Sequence, residues 1–344
     1  MKGVLIGFGT IAMGHLTAYE KVPDMSIAAI VDPTPGRRTL AKSMYPTIDI
    51  YDSLDEAINE GGIDFIDICS PPHTHHDYIL AGLASKKHVL CEKPLLLGAQ
   101  KFQGLSALIA QSNCVLYPSQ NYKFAPILQK VKRAVESSCF GEIVGGHFRT
   151  IRSGHAIGVP EWQPHWRRDS AISGGGILFD HGPHSIYMAC HLLNRLPYAV
   201  SCIIGNLLKN TFADTEDTAF MTLYFDDNVR FIIDLSWAGT FRHSYYAVYG
   251  SRENIIVEND QLSHTTQQTG YQRELITSEF DDPSHKAWFI DMLSDFKGMI
   301  GNQQRQELLL KEALLINLVI DQAYESAKSG GKIVELPYPV DKFL

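Results

Sequence analysis

The stretch GFGTIA, Gly7 to Ala12, constrains the fold of this chain more than any other. It follows a short apolar run, Val4–Ile6, and opens a segment of helical spacing, Thr10–Glu20. At such a junction the first glycine permits a tight turn and the second lets the backbone approach a pyrophosphate. The small last residue lets the helix pack on the strand. A diphosphate there meets the free N–H groups of the helix start, so Gly7, Gly9, Thr10 and Ile11 are candidate cofactor contacts. A lone glycine turn that binds no nucleotide is the alternative. The flanks argue against it, and so does Asp32, which ends the second strand about 20 residues on. An acid at that place accepts hydrogen bonds from ribose hydroxyls and repels a 2′-phosphate, so NAD is expected rather than NADP. Arg37 and Arg38 have the chemistry to hold a 2′-phosphate, but they read as solvated residues of the next helix.

The first third alternates short apolar runs (Ile27–Val31, Ile63–Cys69, Val89–Cys91, Cys114–Tyr117) with helical stretches, one opened by the capping box Ser53-Leu54-Asp55-Glu56 and one over Ala99–Gln111. All-apolar strands between helices mean a parallel sheet covered on both faces. The pattern changes near Gln120. A helix over about 127–137 is followed by a strand at Ile143–Ile151, an irregular Trp/Pro/His-rich segment and a helix after Gly182. Then come strand-like runs at Thr218–Phe225, Val229–Ser236 and Tyr245–Tyr249, the first two joined by Asp226-Asp227-Asn228. Two closing helices are expected at Ser284–Met299 and about Gln306–Lys328, with a core Leu stripe over Leu308–Leu318. The expected fold is α/β: a Rossmann dinucleotide-binding domain over residues 1–120, then an α+β domain over 121–344 with a large open, mainly antiparallel sheet.

Bulk properties narrow the function. With 344 residues the chain is long enough for two domains, and its net charge of -8 argues against nucleic acid or an anionic membrane as partner. No apolar run approaches the roughly 18 residues of a membrane helix. The six cysteines are scattered and form no CxxC pair, which reads as reduced thiols of a cytoplasmic protein. The N-terminal MKGVLIGFGTIA reads as a first strand and not as a signal peptide.

Chemistry concentrates in HVLCEKPLLLG, His88 to Gly98. Lys93 follows a strand end on the ligand side of a doubly wound sheet, and Pro94 fixes the turn behind it. An ammonium there can hydrogen-bond a substrate hydroxyl and favour the alkoxide; spacing alone leaves a surface lysine equally open. On a helix, Asp180 and His184 lie one turn apart on one face. Helix entry near Pro183 suits a first turn, and the glycines 174–176 before it allow close backbone approach. An imidazole titrates near operating pH, which suits His184 to exchanging a hydroxyl proton.

Four stretches in order, GFGTIA, SPPHTH (Ser70 to His75), CEKPL and GGGILFDHGPH (Gly174 to His184), resemble the glucose–fructose oxidoreductase / inositol dehydrogenase (Gfo/Idh/MocA) family over nearly the whole chain. The resemblance implies Lys93 as the active-site lysine and Asp180 with His184 as the second half of the site. It places Ser70, His75, Glu92, Gln120 and Trp166 on the cofactor side, and Tyr122, Lys123, Arg152, His155 and Arg167 around the substrate. Clustered histidines (His73, His75, His76; His181, His184) raise a metal reading, but the Cys or carboxylate partners of zinc sites are missing at set spacings, so no metal is expected. The implied activity is NAD-dependent interconversion of a secondary alcohol and a ketone on a sugar, amino-sugar or cyclitol. Redox-neutral chemistry through transient sugar oxidation and a non-catalytic NAD-sensing regulator are the alternatives. The resemblance also implies a homodimer or homotetramer built on the open sheet.

Overall fold

Every apolar run of the first third becomes a strand of one sheet. The structure is a computed structural model that describes residues 1–59, 61–208, 214–268, 270–275 and 286–337. In chain order the first unit contains β1 (Lys2–Ile6), α1 (Thr10–Tyr19), β2 (Ser26–Val31), α2 (Pro35–Met44), β3 (Asp49–Tyr51), α3 (Leu54–Asn59), β4 (Phe65–Ile68), α4 (His75–Ala84), β5 (His88–Cys91), α5 (Leu105–Ser112) and β6 (Leu116–Pro118). The strands are all parallel, in the order β3-β2-β1-β4-β5-β6. Val4, Ile6, Ile66 and Ile68 enter one apolar cluster, while Leu5 and Phe65 enter another on the opposite face. That is why these strands lack polar alternation. Strand order reverses between β1 and β4, which places the ligand crevice outside their carboxyl ends.

The helix expected over Ala99–Gln111 is broken. Gly104, at φ 83°, separates a 3₁₀ turn (Ala99–Phe102) from α5. The three-residue β3 and the helix α4, which opens on His75-His76-Asp77, lie outside the periodicity read from the sequence.

The second unit adds α6 (Pro126–Val135), β7 (Ile143–Ile151), α7 (Ser170–Ser173), α8 (Ile177–Leu193), β8 (Ala199–Gly205), β9 (Thr218–Tyr224), β10 (Arg230–Ser236), β11 (His243–Gly250), β12 (Glu253–Glu258), β13 (Gln261–Thr266), β14 (Gly270–Leu275), α9 (Lys286–Met299), α10 (Gln303–Lys328) and β15 (Val334–Glu335). Its sheet runs β14-β13-β12-β11-β7-β10-β9-β8-β15, antiparallel except for the parallel β7–β10 pair. Asp227 and Asn228 both sit at φ 60°, the left-handed pair that a tight hairpin between β9 and β10 requires. Helix α8 starts before the expected point, so Pro183 lies inside it and not in its first turn. The expected start of α9 at Ser284 falls outside the described residues. In the Leu stripe, Leu310, Leu314, Leu315 and Leu318 are core, but Leu308 is 63% exposed.

The chain then returns to the first unit. Phe289, Met292, Leu293 and Phe296 of α9 share an apolar cluster with Leu5, Leu16, Phe65 and Tyr117. From α10, Asp321 Oδ2 accepts the Ala99 N–H at 2.9 Å, and Gln306 bonds both the N–H and the carbonyl of Leu116. The break at residue 120 is thus a boundary of chain order, while the first core is completed by residues beyond 286.

On the outer face of the large sheet, Ile203 lies opposite Phe220, and both are more than half exposed, while Ile232 on the next strand is half exposed. All six cysteines are free thiols, and five are buried. Among the described residues no helix is long and apolar enough to cross a membrane.

Candidate active site

The glycine loop has the shape of a phosphate cradle. Gly7 sits at φ 89°, and a Cβ there would lie 2.8 Å from the Ser70 backbone, so the turn after β1 and the loop after β4 touch. Gly9 is the N-cap of α1, and a Cβ there would meet nothing within 4 Å: the space is left for a ligand. Thr10 and Ile11 follow as the first helical residues, their amides unsatisfied within the helix. Asp32 ends β2 and is buried; it accepts the Phe8 and Thr34 N–H groups at 2.8 Å each. Arg37, expected in solvent, is buried as well, with its guanidinium on the Phe8 carbonyl. Arg38 donates to the carbonyls of Asp32 and Pro33.

At the end of β6 the Gln120 side chain is 4% exposed, and neither its Oε1 nor its Nε2 has a hydrogen-bond partner. A buried unsatisfied amide is costly, and its donor and acceptor together match what a ligand carboxamide would need. An open Gly9, an orphaned Gln120 and the acid at Asp32 fit a nicotinamide dinucleotide: pyrophosphate at Gly9, ribose hydroxyls at Asp32, carboxamide at Gln120.

His75 and Glu92, expected on the cofactor side, turn their side chains into the protein. His75 is fully buried, with both ring nitrogens 2.9 Å from the carbonyl oxygens of Pro94 and Ser70. It braces the loops after β4 and β5 to each other. Glu92 is buried and engaged by His15 Nε2 (3.2 Å), Ser119 Oγ (2.6 Å) and the Lys93 N–H (3.2 Å). His15 Nδ1 in turn lies 2.8 Å from Asp67 Oδ2. Burial opposes protonation of His15, but the adjacent Asp67 carboxylate wins and holds the imidazole well above its usual range. The result is an imidazolium between two carboxylates, tying α1 to the ends of β4 and β5. Nothing in the spacing of the sequence singled out His15, because its partners lie 52 and 77 residues away. His15, Asp67 and Cys69 form the one tight group of metal-ligand type among the described residues. Both His15 nitrogens are already engaged by carboxylates.

Lys93 crosses to the second unit. Its peptide bond to Pro94 is cis. Its Nζ donates to the Asp180 carbonyl at 2.6 Å and to Asp180 Oδ1 at 2.9 Å. Arg167 Nε stands 3.7 Å from the same Oδ1 and makes no hydrogen bond. Burial opposes ionisation of Asp180, but Lys93, then His181 and Arg167, outweigh it and hold the carboxyl well below the ordinary carboxylate range. By linkage, the stability it contributes is present above its unfolded value and lost only as pH falls through the depressed folded one.

One turn along α8, His184 is 7% exposed. Its Nδ1 is 2.8 Å from the Tyr187 hydroxyl, and its ring lies 4.2 Å from the ring of Tyr122. The Tyr187 oxygen also accepts the Tyr122 N–H at 3.2 Å. When the hydroxyl donates to Nδ1, Nε2 carries the ring proton. When it turns away, Nδ1 takes the proton and Nε2 becomes a base. Helix α8 is held by Glu216, whose carboxylate accepts the N–H groups of Gly176 and Leu178 and whose carbonyl accepts that of Ile177.

The remaining expected residues divide. Arg152 is buried and committed to the carbonyls of Ile151 and His243 and to Ser244 Oγ, so it shapes the wall. His155 Nε2 lies 3.0 Å from His165 Nδ1. Trp166 opens a 3₁₀ turn and stacks under the Arg167 guanidinium at 4.2 Å. Lys123 points elsewhere, paired with Glu312. His181, weighed only as a metal ligand, lies beside Asp180, its Nε2 3.7 Å from Oδ2. Burial pushes it down to about 3 with help from Arg152, Lys93 and Arg242 against Asp180, so it is neutral in the working range.

Known proteins place this architecture. The sequence pattern described as "Oxidoreductase family, NAD-binding Rossmann fold" matches residues 1–120, and that of the GFO/IDH/MocA C-terminal domain matches residues 128–256. The 2,7-anhydro-N-acetylneuraminate hydratase of Escherichia coli (strain K12) is 23% identical over 309 residues, covering 86% of this chain and 79% of that protein. The myo-inositol 2-dehydrogenase of Thermotoga maritima is 26% identical over 262 residues, 75% of each. A solved oxidoreductase from Agrobacterium radiobacter, in complex with NAD+, L-tartaric acid and magnesium, shares the fold at a TM-score of 0.83 and 21% identity, covering 100% of this chain and 99% of that one. With two domain patterns matched in order across the crevice that joins Lys93 to Asp180, the chain belongs to the GFO/IDH/MocA family of oxidoreductases and carries its NAD-binding Rossmann domain.

Proposed function

We propose that this protein is an NAD-dependent dehydrogenase or reductase that interconverts a secondary alcohol and a ketone on a sugar, amino-sugar or cyclitol. The observation that carries this reading is the Lys93–Asp180 contact across the crevice, one helical turn from His184. NAD, when bound, supplies the hydride acceptor. Lys93 spends two donors on Asp180 and has a third for the substrate oxygen, where it favours the alkoxide. His184 Nε2 exchanges the hydroxyl proton, with Tyr187 setting which nitrogen is basic. Asp180 positions Lys93. The polyol-active name of the myo-inositol relative supports the substrate class.

The test is a panel of polyols, sugars and amino-sugars offered with NAD while nicotinamide absorbance is followed. On the substrate found, His184→Asn is expected to slow turnover about a hundredfold while NADH binding is kept. Unchanged turnover would remove His184 from the proton path. Substrate consumption with no net NADH would instead favour transient oxidation within a redox-neutral reaction.

The exposed Ile203, Phe220 and Ile232 on the large sheet support a homodimer or homotetramer that covers this face. Light scattering after size exclusion is expected to give a multiple of the 38.4 kDa chain mass. A monomer mass at micromolar concentration would count against it.

A further inference from the structure

Two side chains from one loop of the second unit reach across the mouth of the crevice. The loop closes on itself through a 2.7 Å bond from the Gly158 N–H to the Pro164 carbonyl, and its tip carries Glu161 and Trp162. Trp162 stacks on His73, just past β4, with ring planes 1° apart and centroids 6.4 Å apart. Glu161 packs on the first turn of α2, just past β2. Its Cγ is 3.3 Å from where a Cβ on Gly36 would sit, and its Oε2 is 3.5 Å from Arg37 Nη1. A carboxylate from the second unit therefore stands close after Asp32. On this stretch an extra phosphate on the adenosine ribose would otherwise find donors: the amides opening α2 and the Arg37 guanidinium.

We propose that Glu161 is a specificity-determining residue that rejects NADP. Arg37 Nε and Nη2 are committed to the Phe8 carbonyl, inside the glycine loop, and Nη1 faces Glu161. The cation best placed for a 2′-phosphate is thus neutralised from the opposite domain. Glu161 also puts a carboxylate against the first turn of α2, the stretch that follows Asp32, so discrimination comes from repulsion as well as from the hydrogen bonds Asp32 offers the ribose. Trp162 on His73 fixes the loop tip so that the carboxylate is held there. The inference rests on the NAD assignment and is independent of which alcohol is oxidised.

The experiment needs no substrate. NADH and NADPH are titrated by the change in nicotinamide fluorescence on binding, for the wild type, Glu161→Gln, Glu161→Lys, Asp32→Ser and the Asp32→Ser/Glu161→Gln pair. Glu161→Gln is expected to tighten NADPH about tenfold while NADH moves by less than about threefold, as loss of one like charge at short range requires. Glu161→Lys is expected to tighten NADPH further, and the Gln gain is expected to persist in the Asp32→Ser background. An unchanged NADPH-to-NADH ratio in both Glu161 variants overturns the proposal. So does equal weakening of both cofactors, which would mean that Glu161 only props the loop. Failure of the wild type to bind NADH would overturn the cofactor assignment along with it.

Discussion

Replacing Lys93 with methionine is expected to lower turnover about a thousandfold while NADH still binds, the scale seen when a preorganised donor aimed at developing oxyanion charge is removed. The stem keeps its packing and only the ammonium is lost. Two consequences separate this from general damage. The lost interaction forms fully only as the alkoxide develops, so kcat and kcat/KM should fall together and KM should change little. Lys93→Arg should rescue poorly, because a planar fork cannot place one donor on the Asp180 carbonyl, one on Oδ1 and a third on substrate as an ammonium does. Steady-state kinetics on the substrate found by the panel, with fluorescence titration of NADH on the same preparations, checks both. Wild-type turnover by Lys93→Met would dismantle the site as drawn.

Gly176→Ala is expected to cost about 3 kcal/mol of stability or more, at the upper end for overpacking. A Cβ at Gly176 would lie 1.8 Å from the Glu216 carbonyl oxygen and 2.8 Å from its carbon, and backbone cannot swing aside as a side chain can. The same shift would pull Glu216 off the amides it caps at the start of α8, the helix that carries Asp180 and His184. Urea denaturation should show a lower midpoint at unchanged slope. Gly9→Ala is the counterpart: with nothing within 4 Å of its Cβ it should unfold like the wild type yet bind NADH poorly. If Gly176→Ala were as stable as Gly9→Ala, the clash and the capping role would both be wrong.

The parts of the fold written in local periodicity were legible. The parallel strands β1, β2, β4 and β5 announce themselves as short, mainly apolar runs, and the hairpin at Asp227-Asn228 as a turn signal. Gly104 and Pro183 were not, for opposite reasons: one ended a helix that the pattern continued, the other sat inside a helix that the pattern began too late. At the site, Lys93, Asp180 and His184 were readable because their motifs are contiguous. The residues that hold them were not. His15 reaches Glu92 across 77 positions, and Glu216 reaches Gly176 across 40; no spacing rule connects such pairs before the chain has folded. His75 and Glu92 were named from their motifs, but that their side chains turn inward to brace the loops is again a matter of distant partners.

The return of α9 and α10 to the first core has a consequence for how such a protein can be rearranged. The nucleotide-binding half is not a contiguous cassette: its last apolar layer comes from α9, beyond residue 286. Recombination that swapped only the leading third would strand Leu5, Phe65 and Tyr117 beside a foreign helix. A graft that keeps this core whole must therefore carry residues 1–120 together with α9 and α10.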